Sequence, residues 1–158
     1  MYASEGASLP SLIRYLVDNG LLTNDDLKEV RDSANGFKTR FRLQKYVYFA
    51  KFFGYDLGYD YNLYVHGPYS PGLANDYYKI SESLDKAEPA NINGNYLSLL
   101  KGKDDEWLEL ASTVLMIKHR YEKIGDDELV ELTRSAKPWA AEERIKGILS
   151  ELRSYKLA

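Results

Sequence analysis

Cysteine is absent from the 158 residues, and histidine occurs only as His66 and His119. The first absence excludes disulfides, a thiol nucleophile, iron–sulfur clusters and every thiolate zinc site; the second removes the His-rich metal sites. No run approaches the ~18 uninterrupted apolar residues of a membrane span. The opening residues 1–10 lack the charged region followed by an apolar one that marks a secretion signal. There is no Walker loop, no GxGxxG and no HExxH helix, and Gly54 and Gly58 are too few and wrongly spaced to cradle phosphates. These absences predict a cytoplasmic protein, not bound to a membrane, with no metal, no cofactor and no enzymatic activity. What is present is an ordinary globular balance, 44% apolar and 28% charged. The length suits a single domain over residues 1–158, given ~100–200 residues per domain.

The net charge of −3 is unevenly spread. Residues 1–36 carry −3, residues 55–95 carry −4 and residues 96–158 carry −1, whereas residues 37–54 hold Lys38, Arg40, Arg42, Lys45 and Lys51 with no acid. That segment reads either as an anion or nucleic-acid contact or as a helix face pairing with its acidic neighbours. A pI near 5.5 favours the second. Tyrosine is the other outlier: of fourteen, nine lie between Tyr46 and Tyr78. A rigid apolar ring with a polar tip suits partner surfaces as well as half-buried strands.

Periodicity predicts a mainly α chain (α+β in the broad sense), a multi-helix domain with a small β-strand or hairpin element. Helices are expected from Pro10 to Asn19, from a Thr23 cap with Asp26 three residues on, and from Thr39 to Phe53 with Gly54 as the stop. The second carries Leu27, Val30 and Ala34 inward. In the third, Leu43, Tyr46, Val47, Ala50 and Phe53 share a face, and Lys38, Arg42 and Lys45 share a flank. Tyr61, Leu63 and Val65 alternate as a strand that His66–Gly67–Pro68 breaks, and Ser70–Pro71 starts the next helix. Asn93–Gly94 suggests a hairpin with Leu97 and Leu99 on one face. Three further helices are expected: one behind Asp104–Glu106, one behind Asp126–Glu128, and a last one opened by Pro138, with Trp139 in the core.

Little of this is arranged for catalysis. Both acidic triplets stand where helices begin, so the helix dipole accounts for them. His66 has no Ser or Asp at a recognisable spacing, and His119 sits in a Lys118–His119–Arg120 run on a solvated face. The patterns left over are Leu43-Gln44-Lys45 with Tyr48-Phe49-Ala50, then Gly67-Pro68 with Pro71, then Leu132 with Pro138-Trp139. In order and spacing these resemble the SocA-like Panacea domain, an antitoxin domain of bacteria, phages and archaea, and related YwgA-type proteins. The resemblance covers about residues 41–145, with residues 1–38 as a helical extension. His66 stands where the family has an aromatic or hydrophobic residue, and Arg134–Ser135 replaces the family histidine before Pro–Trp. The resemblance implies a non-enzymatic, protein-binding domain whose partner is often a toxin. The partner surface expected here combines Arg42, Lys45, Tyr48, Tyr59, Tyr64, His66 and Tyr69. The alternative is a nucleic-acid-binding regulator with a winged-helix-like arrangement and the Lys38–Lys51 helix on phosphates.

Overall fold

Capping residues start the helices largely where the spacing predicts in the computed structural model, which describes residue 4, residues 6–80 and residues 84–158. The described chain is mainly α-helical, with one two-stranded hairpin. It divides into two compact units: the chain up to Tyr61 together with Tyr69–Lys101, and Asn62–Pro68 together with Gly102–Ala158. Among the described residues no helix is long and apolar enough to cross a membrane.

In the first unit, the Ser8 hydroxyl accepts the Ser11 N–H and opens α1 (Leu9–Asp18), which buries Leu12, Ile13 and Leu16. Thr23 and Asp26 exchange hydrogen bonds as a capping box at the head of α2 (Asn24–Lys28). This helix ends well before Asn35. The Asp32 carboxylate accepts the Ala34 and Asn35 N–H groups at 2.9 and 2.8 Å, a turn that competes with helix, and Ala34 is exposed rather than inward. The same two bonds hold the Asp32 carboxyl below the usual carboxylate range. α3 (Phe37–Ala50) runs on through one 3-10 turn, Lys51–Phe53, to Gly54, whose φ of +83° makes it the expected stop. Ser70 caps α4 (Pro71–Tyr77).

The expected hairpin at Asn93–Gly94 is a helix instead. The Asn93 side chain accepts the Asn95 N–H and opens α5 (Gly94–Leu100), which buries Tyr96, Leu99 and Leu100. Asn and Gly serve a helix start as readily as a turn, and the three buried side chains decide for helix. α3 packs against both α4 and α5, and the Tyr96 hydroxyl donates to the Tyr46 carbonyl at 2.8 Å in a buried contact.

The second unit holds the hairpin β1 (Asn62–Tyr64) and β2 (Gly67–Tyr69, whose last residue belongs to the first unit), followed by α6 (Asp105–Arg120), α7 (Asp126–Ala136) and α8 (Glu142–Ser154). The three helices pack pairwise. Asp104 caps α6 as its acidic run suggests, and Arg153 of α8 holds Asp126 at the head of α7. Leu108, Leu115, Leu129, Ile145 and Leu152 form the core. Two expectations are corrected here. Gly67–Pro68 does not break the strand; it is the second strand, and Val65–His66 is the turn, leaving Val65 81% exposed. Pro138 does not open the last helix either. It lies in a turn closed by the Ala140 N–H on the Lys137 carbonyl, and Trp139 is 53% exposed instead of in the core.

Candidate functional site

The tip of the hairpin lies on α6, and Gly67 is the residue that allows it. Its φ of +94° is a left-handed value, and a Cβ there would stand 3.2 Å from Thr113 Oγ1 and 3.4 Å from Ser112 Oγ. Left-handed backbone costs other residues roughly 1–2 kcal/mol, so Gly67→Ala should lower unfolding free energy by about 1–3 kcal/mol once crowding is added. A urea titration reads this directly. An unchanged midpoint would mean that the hairpin is not seated on α6.

Beside Gly67, the side chains of Lys137, Glu109 and His66 meet. Lys137, at the end of α7 and only 2% exposed, donates from Nζ to the Val65 carbonyl and lies 3.0 Å from Glu109 Oε2. The other oxygen, Oε1, lies 3.5 Å from His66 Nδ1. A buried ammonium needs such acceptors, because taking it out of water unpaired costs several kcal/mol. The ion pair therefore fixes the hairpin tip to the end of α7. Three large apolar or aromatic side chains next to these residues in the chain are exposed: Val65, whose carbonyl Lys137 holds; Tyr64 beside it, 49% exposed; and Trp139, two residues beyond Lys137.

The Ser112 hydroxyl donates to the Leu108 carbonyl at 2.6 Å and the Thr113 hydroxyl to the Glu109 carbonyl at 2.7 Å, so both neighbouring hydroxyls are engaged with helix backbone. Among the described residues no three His, Asp or Glu side chains gather as a cation site.

Of the expected surface residues, Tyr64 and His66 belong to this unit, and the site adds Val65, Glu109, Lys137 and Trp139 to them. Arg42, Lys45, Tyr48, Tyr59 and Tyr69 belong to the first unit. Lys45 and Tyr48 are not surface residues: Lys45 is 1% exposed with Nζ 4.9 Å from the Phe41 ring centroid, and Tyr48 packs edge-on against Phe52 and Tyr61. The physical reason is that α3 is buried on all sides from Leu43 to Ala50, where an amphipathic reading expects a single buried stripe. Arg42 and Tyr69 are half-buried. Tyr59 is half-buried too and donates to Asp76 at 2.6 Å; burial, then that bond, push its hydroxyl pKa well up.

Glu109 and Lys137 carry no sequence signal, being 28 positions apart in α6 and behind α7. Trp139 had one, the Pro–Trp motif, but read as core. Compared with known proteins, the chain matches no family model, no curated protein and no solved structure.

Proposed function

We propose that this protein works by binding a partner protein through the Tyr64, Val65 and Trp139 surface. The observation that carries the reading is the exposure of these three side chains around a pinned, buried ion pair. Exposed tryptophan and tyrosine on a rigid scaffold supply large contact area at little ordering cost, the usual make-up of an interface hot spot. The resemblance to antitoxin domains favours a toxin as the partner.

The basic segment supports this over nucleic-acid binding, because much of its charge is used internally. Arg40 donates to the carbonyls of Val30, Asp32 and Ser33; Lys45 is buried; and the Lys51 ammonium sits 5.3–5.6 Å from the ring centroids of Tyr48, Phe52 and Tyr61. A phosphate contact needs its cations at the surface, where they can release counterions.

The test is affinity capture from the source cells with wild type, Trp139→Ala/Val65→Ser, and Lys38→Glu/Arg42→Glu. A stoichiometric protein should be lost only with the first variant. Trp139→Ala itself should change stability by about 1 kcal/mol or less, as a surface substitution. Recovery of a specific DNA fragment, lost only on charge reversal, would establish the regulator reading instead.

A further inference from the structure

Tyr121 and Leu132 are large apolar side chains outside the proposed partner surface, and they are 55% and 37% exposed. They line one depression of about 780 Å³, together with Arg120, Glu122, Lys123 and Glu128. All six residues belong to the second unit, so α6, α7 and the turn between them set its shape. That turn is firmly held. The Tyr121 N–H donates to the Ile117 carbonyl at 2.9 Å and the Ile124 N–H to the Tyr121 carbonyl at 3.0 Å. Lys118 Nζ adds a bond to the Glu122 carbonyl at 3.1 Å. A surface already fixed in this way loses little freedom when it is covered.

The charges that line the depression point to its occupant. Arg120, Glu122, Lys123 and Glu128 are all exposed, two of each sign. Among the described residues none of these four side chains has an ion pair. Lys103, Arg144, Lys146 and Arg153 of the same unit, by contrast, each have a carboxylate partner. A patch of one sign selects a partner of the other sign and repels its own copy. A patch with unpaired charges of both signs complements itself, which a twofold contact requires because the same residues stand on both sides of the axis.

We infer that this face is an interface between two copies of the chain. Tyr121 and Leu132 of each copy pack against the other, and the cations of one copy pair with the carboxylates of its mate. The contact shares no residue with the Tyr64, Val65 and Trp139 surface, so a dimer carries two partner surfaces. With two apolar anchors from each copy it belongs among the small, reversible interfaces, and added salt weakens it.

Sedimentation velocity of the full chain reads the association. Wild type should pass from monomer to dimer between about 1 and 200 μM. Leu132→Glu should weaken the dimer by about tenfold or more, and Trp139→Ala should leave it unchanged. Arg120→Glu/Lys123→Glu and Glu122→Lys/Glu128→Lys should each be monomeric alone, because each gives the patch a single sign. An equimolar mixture of these two variants should sediment as a mixed dimer, which also shows that both are folded. A wild-type chain that stays monomeric throughout would overturn the inference. So would a dimer indifferent to Leu132→Glu, or a mixture of the two charge variants that stays monomeric. A dimer lost with Trp139→Ala but kept with Leu132→Glu would overturn it as well, and would place the contact between copies on the Trp139 surface.

Discussion

Replacing Glu109 by leucine is expected to lower the unfolding free energy by about 3–5 kcal/mol, the usual cost of leaving one member of a buried ion pair without its partner. The charge left behind is the Lys137 ammonium, 2% exposed, with the Val65 carbonyl as its remaining acceptor of the two described. One carbonyl dipole does not replace a carboxylate. Lys137→Met leaves Glu109 beside His66 and nearer to water, so its loss should be smaller, on the order of 3 kcal/mol. The double variant Glu109→Leu/Lys137→Met removes both charges and keeps similar volume. It should regain most of the stability, because a well-packed apolar pair often equals or exceeds a buried ionic one. Chemical denaturation of the four proteins closes the cycle. Single variants within about 0.5 kcal/mol of wild type would show that the pair is solvated and does not hold the hairpin. The double variant also separates roles: if stability returns but partner binding does not, the ion pair positions the Val65 tip as well as stabilising the unit.

Gln44→Ala should be the second large loss. The Gln44 side chain meets the Ser70 backbone as a strand would, accepting the Ser70 N–H at 2.8 Å and donating to the Ser70 carbonyl at 3.0 Å, all of it buried. It also hydrogen-bonds the fully buried Tyr77, whose hydroxyl pKa is raised by burial. Truncation strands both backbone groups, and each buried, unsatisfied polar group costs ~1–3 kcal/mol, so a loss of about 2–5 kcal/mol is expected. Gln44→Glu distinguishes the two bonds. It retains the acceptor for Ser70 N–H but sets a carboxylate against the Ser70 carbonyl, and should be destabilising at neutral pH and less so in acid, where a protonated side chain can donate again. Equal stability of Gln44→Ala and wild type would mean that water replaces the clamp.

These two sites explain why the motif residues were easier to read than their roles. Leu43, Gln44, Lys45, Tyr48 and Phe49 resemble a family pattern, and the structure puts all five in the interior, where they build the first unit. The pattern marks how the chain folds, and the exposed side chains of the second unit lie beside other parts of it. Pro138–Trp139 is the exception, since there the motif reaches the surface.

The amino-acid sequence by itself determined what is local. Ser8, Thr23 with Asp26, Ser70 and Asp104 each cap the helix that follows, and Gly54 ends one, because a cap needs only a side-chain oxygen or a left-handed backbone within three residues. Composition and 3.6-residue periodicity were enough for a mainly helical chain. Tertiary structure alone decided whatever depends on partners distant in sequence. Asn93–Gly94 serves a helix because Tyr96, Leu99 and Leu100 find a core to enter. Lys45 is buried because α3 is covered on all sides. Trp139 is exposed because α8 starts four residues after Pro138 and leaves the turn outside its buried stripe. The Glu109–Lys137 pair exists only because helix packing brings together residues whose spacing in the chain carries no period. Hydrophobic pattern encodes which face is apolar, and only packing settles which apolar residues are left over for another molecule.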